Sequence, residues 1–251
     1  MGEPGDADPR GRSVLELITL VSLSHVNDPA TTSLYPGDPP FTLESAATIA
    51  REGYHLQYVR EGEHTGTHWS APGHFTAGEA LADGLDPGDL FRPAVKIDVR
   101  DRCAHDPDYV LTVADLRDFE HAHGRIPDGA AVVMWTGWES RWGTDAFFAY
   151  DADGVMHQPG FSVTALQWLV DTGRLGRNGA LGTDTFGPDV GTDRTYAVSR
   201  LLHHRRRISL EALANLASLP AAGAYILCGG QINRNGSGST ALIYGVLPPA
   251  G

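Results

Sequence analysis

The residues best suited to chemistry lie in one stretch, His64-Thr65-Gly66-Thr67-His68-Trp69-Ser70-Ala71-Pro72-Gly73-His74-Phe75. Neutral imidazole is the commonest metal ligand and the usual general base near neutral pH, so three histidines together can serve either purpose. The segment is too rich in Gly, Pro and Thr to be a helix, so its spacings of four and six positions must converge through a fixed loop. A lone histidine is more often a surface or hydrogen-bonded residue, but this spacing on so stiff a loop points to a site. Tyr35, Trp69, Trp138 and Trp142 add rings that could hold a planar or apolar group. For any single tryptophan, core packing is the commoner role.

The elements around this loop read as an alternation of strands and helices. Leu15 to Leu23 has the apolar, β-branched content of a buried strand, and Pro36-Gly37-Asp38-Pro39-Pro40 forces a turn after it. The alternation of Tyr54 to Arg60 predicts a strand that delivers the chain into the histidine loop. Gly78 to Asp89 reads as a surface excursion, Ala94 to Val99 and Ala130 to Thr136 as strands, and Ala180 to Thr185 as a short buried strand whose end carries Asp184. Thr112 and Ser162 are N-cap candidates for helices over 113–120 and 163–170. Asp184 is better suited to a structural, hydrogen-bonded role than to catalysis.

At 251 residues with 41% hydrophobic content, the chain fits a polar tail over residues 1–14 and a single α/β domain over 15–251. The formal charge of -12 disfavours nucleic acid or an anionic membrane and favours a small neutral or cationic ligand. Lys96 is the only lysine among 19 basic residues, a bias expected of a GC-rich, actinobacterial type of genome. Cys103 and Cys228 form no CxxC pattern and read as buried free thiols. No signal peptide or membrane-spanning stretch is evident, so a cytoplasmic protein is expected.

The histidine stretch resembles the HxGTHxDxPxH signature of the cyclase family, which includes kynurenine formamidases and isatin hydrolase. Further similarities are Leu23-Ser24-His25, Tyr35-Pro36-Gly37-Asp38-Pro39, Thr136-Gly137-Trp138, His157-Gln158-Pro159-Gly160-Phe161, the segment carrying Gly182, Asp184 and Asp189, and Leu210-Glu211-Ala212-Leu213-Ala214-Asn215-Leu216. The resemblance runs from about Leu15 to Leu247 and implies a swivelling β/β/α fold with a mixed, barrel-like β-sheet and flanking helices, assembled as a homodimer or homotetramer. It implies that His64 and His68 are metal ligands, that His74 does acid–base work, and that the region of Leu23-Ser24-His25 and Tyr35-Pro36-Gly37-Asp38-Pro39 lies near the substrate pocket. Two departures matter. Ser70 stands where the family has its metal-binding aspartate, and Ser199 where formamidase-like members have a second-site histidine partnering the glutamate that is Glu211 here. Near the end, Thr240 and Ala241 replace a family proline and arginine.

A hydroxyl brings no charge to offset a dication and rarely ligates zinc, so a second ion is not expected. One reading is a mononuclear site, zinc or manganese on His64, His68 and Glu211, hydrolysing an amide, imide or lactone with His74 as acid or base. The other is a metal-free pocket in which His74, His64 and Glu211 perform ring closure, dehydration or isomerisation in specialised metabolism. A non-catalytic ligand-binding relative is a third. Tyr35, Trp69, Ser70 and Trp138 are the candidate substrate contacts under either catalytic reading.

Overall fold

The computed structural model describes residues 18–248. The tail over 1–14, and Leu15 to Leu17 of the first expected strand, lie outside the described residues. The strands are β1 (Thr19–Ser22), β2 (Thr42–Ala47), β3 (Leu56–Arg60), β4 (His68–Ser70), β5 (Phe91–Asp98), β6 (Val110–Leu111), β7 (Ala131–Trp135), β8 (Gly160–Phe161), β9 (Ala180–Thr183), β10 (Ile208–Glu211), β11 (Ala224–Cys228), β12 (Gly238–Thr240) and β13 (Ile243–Leu247). The helices are α1 (Ile49–Glu52), α2 (Arg100–His105), α3 (Val113–His123), α4 (Val163–Asp171) and α5 (Ala197–Leu202).

Nine strands form one curled, mixed sheet in the order β1-β13-β11-β5-β7-β9-β10-β4-β12, the α/β fold the sequence implies. Its centre, β5-β7-β9-β10, is parallel, and the strands on both sides are antiparallel. Parallel strands are normally covered on both faces, and β7 is buried along its whole length. Ala131, Val133 and Trp135 enter one apolar cluster with Leu23, Trp69, Leu210 and Ile226, while Val132 and Met134 enter a second beneath α3, α4 and α5. The expected caps are in place: Thr112 Oγ1 accepts from Asp115 N at 3.3 Å, and Ser162 Oγ from Ala165 N at 3.1 Å. Cys103 and Cys228 are buried and free.

The expected strand at Tyr54 to Arg60 forms as β3 but pairs only with β2, in a separate two-stranded sheet whose apolar side chains are largely exposed. The segment from Gly78 to Asp89 is not a free surface loop throughout. It folds into short 3-10 turns, and Asp89 is buried with Arg206 as its ion-pair partner at 2.7 Å. No helix among the described residues is long and apolar enough to cross a membrane.

Candidate active site

The histidine stretch is part strand. Residues His68–Ser70 pair antiparallel with β10, placing His68 opposite Glu211 and Ser70 opposite Ser209. Side chains alternate along a strand, so His68 and Ser70 share one face and Trp69 takes the other. Gly66, at φ 64, makes the turn before the strand, and its carbonyl oxygen meets His68 Nδ1 at 2.9 Å. After the strand, the 3-10 turn Pro72–His74 swings His74 back, so that its ring stacks on His64 with centroids 4.1 Å apart.

Three of the expected residues meet Glu211 or one another directly. His68 Nε2 lies 3.2 Å from Glu211 Oε2, and Ser70 Oγ donates to Glu211 Oε1 at 3.1 Å. Ser70 Oγ is also 3.2 Å from His64 Nδ1, and Ser237 Oγ is 2.8 Å from His64 Nε2. Ser70 has one hydroxyl proton and gives it to Glu211, so its oxygen faces His64 Nδ1 as an acceptor, and a neutral His64 has a single ring proton to share between Ser70 and Ser237. Ser237 sends both its backbone N–H and its hydroxyl proton to Glu63 Oε2, at 2.7 and 3.0 Å. Both nitrogens of His64, and both of His68, are therefore engaged. His74 differs, since its ring nitrogens have no hydrogen-bond partner among the described residues and it faces a cavity of about 330 Å³.

The electrostatics follow from burial and pairing. Burial raises the Glu211 carboxyl, but the charge and hydrogen bond of His68, with a bond from Ser209, outweigh it and hold the group at about 2. Burial pushes His68 down, but Glu211 reverses this and leaves it above its ordinary value. His64 has no such compensation; burial and the neighbouring His68 charge push it down to about 3, so it stays neutral. His74 is also lowered, by desolvation that Glu211 only partly offsets.

The remaining expected residues divide between cavity and core. Tyr35 lines the cavity and its hydroxyl lies 3.2 Å from that of Tyr196. Trp69 does not reach it; the ring is fully buried in the apolar cluster, with Nε1 bonded to Gly229 O at 2.9 Å. Trp138 is likewise core, its Nε1 donating to Phe147 O at 2.8 Å. Trp142 stacks on His25 with centroids 4.2 Å apart, and neither lines the cavity. Asp184 is the structural group expected: it accepts from Thr136 N, Thr136 Oγ1 and Glu139 N, and burial raises it to about 6. Ser199 lines the cavity, but its hydroxyl is bound to Asp189 at 2.5 Å. Sequence reasoning missed Phe75, Phe186 and Tyr196 as cavity residues, and it placed the turn carrying Asp38 near the pocket without giving Asp38 a role. For Asp38 a signal existed: the positive φ of Gly37 is what a type II turn requires, and the Tyr35-Pro36-Gly37-Asp38 turn closes by Asp38 N to Tyr35 O at 3.0 Å.

A divalent ion does not fit these residues as they stand. Among the described residues, no group of three or more His, Cys, Asp or Glu is placed so that it could hold a metal ion. His68 and Glu211 bond each other, and His64 is held between two serine hydroxyls. Ser70 supplies no carboxylate at the point where a third charged donor is needed.

The chain is similar to known proteins over most of its length. Isatin hydrolase of Roseibium aggregatum is 34% identical over 194 residues, covering 75% of this chain and 73% of that one. The structure of isatin hydrolase A from Labrenzia aggregata, bound to benzyl benzoate, superposes with a TM-score of 0.84 at 30% identity, covering 92% of this chain and 94% of that one. That from Ralstonia solanacearum gives 0.84 at 31% identity and 92% of each chain. A potential metal-dependent hydrolase with cyclase activity, at 17% identity and a TM-score of 0.68, shares the fold. The Cyclase family model matches residues 21–190, and with the hydrolase relatives this establishes that the chain belongs to the cyclase family.

Proposed function

We propose that the chain is an enzyme cleaving a C–N or C–O bond beside a carbonyl in a small amide, imide or lactone, and that it does so by proton transfer through His74 without a divalent ion. The observation that carries this reading is the contrast between His74, unengaged at the cavity, and His64, His68 and Glu211, which are closed on one another. Neutral His74 takes the proton from an attacking water as the oxygen bonds the carbonyl carbon. The resulting imidazolium returns that proton to the leaving nitrogen or oxygen as the carbonyl re-forms. His64 holds the His74 ring by stacking, and the His68–Glu211 pair fixes His64 through Ser70. Tyr35 and Tyr196 share one hydrogen bond between two hydroxyls, leaving one proton to polarise the substrate oxygen. The hydrolase relatives, one of which binds an aromatic ester, support the same bond class.

The engaged donor set also favours a second reading, in which the same proton transfers close a ring or eliminate water. Turnover of cyclic imides, amides and lactones in oxygen-18 water separates the two. Hydrolysis places one labelled oxygen in the product, and loss of turnover in His74→Ala ties it to the site. Product without label supports ring closure or isomerisation, and full activity in His74→Ala refutes both.

A further inference from the structure

The cavity contains one carboxylate that the protein leaves unanswered. Asp189 accepts from Val198 N, Ser199 N and Ser199 Oγ, and Asp193 accepts from Thr195 N, Thr195 Oγ1 and Ala197 N. Glu211 is held by His68, Ser70 and Ser209. Asp38 also lines the cavity, but among the described residues its carboxylate accepts no hydrogen bond and has no ion-pair partner. Asp38 is half-buried, and partial desolvation without a donor raises its carboxyl, a cost that a ligand bringing a donor would offset. The lining contains neither Lys nor Arg, and Arg194 is exposed and stands outside it, beside Tyr35; the strongest charge acting on Asp38 is that of His68, which Glu211 already meets at 3.2 Å.

Aromatic rings line the same cavity. Tyr35 meets Phe186 edge to face at 5.5 Å, and Phe75 lies 5.5 Å from Tyr196. All four line the cavity. Ring faces carry negative quadrupole charge and attract cations, and an apolar ring of the ligand packs against the same surfaces. The carboxylate and the rings thus favour one charge type, and a volume of about 330 Å³ has room for a molecule of one or two rings.

We propose that Asp38, with Tyr35, Phe75, Phe186 and Tyr196, selects a ring-bearing organic cation whose protonated amine meets Asp38 while its carbonyl lies toward His74. This names the substrate class of the site described above and rests on that reading for the carbonyl alone. Asp38 acts in recognition and takes no part in the proton transfers assigned to His74.

Calorimetric titration with 2-phenylethylamine, 2-phenylethanol and phenylacetate, which share a ring and differ in charge, tests this without turnover. The amine should bind wild type at least about tenfold tighter than the alcohol, and phenylacetate should bind weakest. Asp38→Asn, which keeps the shape, should bring amine and alcohol to about the same affinity, whereas Asp38→Glu should retain the preference. His74→Ala should also retain it, which separates recognition from chemistry. Equal binding of amine and alcohol by wild type, a preference for phenylacetate, a preference surviving Asp38→Asn, or no measurable amine binding would each overturn the proposal. Amine selectivity without turnover of any carbonyl compound would instead sink the proposed reaction and leave Asp38 its role.

Discussion

Replacing Glu211 by Gln removes one charge from a buried pair while keeping the volume. The Glu211 carboxyl is held at about 2 against an ordinary 4.5. At about 1.4 kcal/mol per tenfold change in proton affinity, its ionised form contributes roughly 3 kcal/mol to stability. Because that value is depressed, the contribution is complete above pH 4.5 and is lost as the pH falls toward 2. His68 is displaced the other way, so its contribution is complete below 6.5 and is lost as the pH rises through its higher folded value. In Glu211→Gln the largest influences that opposed burial are gone and only the weaker Gly66 carbonyl bond and Asp38 charge remain, so the folded value of His68 is expected to fall below 6.5. The slope then reverses: wild type loses stability above 6.5, whereas the variant gains stability up to 6.5 and levels off. Urea denaturation from about pH 5 to 8.5, with chelator present, measures both curves. A loss of roughly 3 kcal/mol near pH 6 with opposite slopes is expected. A loss under about 0.5 kcal/mol, or parallel curves, would refute the paired assignment.

His74→Ala should lower kcat about a hundredfold or more while leaving the melting temperature nearly unchanged, because no hydrogen bond is lost; steady-state kinetics and a thermal melt read the two effects. Gly238→Ala places a methyl 2.5 Å from the Trp69 backbone oxygen and 2.7 Å from His64 Cε1, so stability and kcat should both fall, and an unchanged kcat in the folded variant would argue against a positioning role for His64. Ser70→Asp supplies the missing carboxylate beside His64 and Glu211 and should create saturable zinc binding by calorimetry where wild type shows none; no binding in the variant would mean that the serine does not set the metal preference.

The histidine cluster was legible in the sequence because Gly66, Pro72 and Gly73 leave few ways to fold the stretch. Helices α3 and α4 were legible from their caps and periodicity, and Asp184 from its place at a strand end. The partnership of His68 with Glu211 was not derivable from spacing, since it depends on antiparallel register between strands more than 130 positions apart; only the family resemblance brought the two together. Trp69 was expected at the substrate, yet the alternation His68-Trp69-Ser70 already places it on the opposite face once the segment is a strand. Trp138 follows Gly137 at φ 81, and that turn directs it into the core. The resemblance placed the turn carrying Asp38 near the pocket, but a Pro-Gly-Asp turn is ordinary in surface loops, and only the assembled cavity distinguishes that carboxylate.

The central claim is that the donor atoms of this site satisfy one another and that the reaction proceeds without a divalent ion. Metal analysis of protein purified without a histidine tag, followed by calorimetric titration with zinc and manganese, tests it most directly. The account predicts substoichiometric metal, no saturable binding at the site, and turnover unaffected by chelator. One tightly held equivalent whose removal abolishes turnover, with His68 and Glu211 required to rebind it, would contradict it.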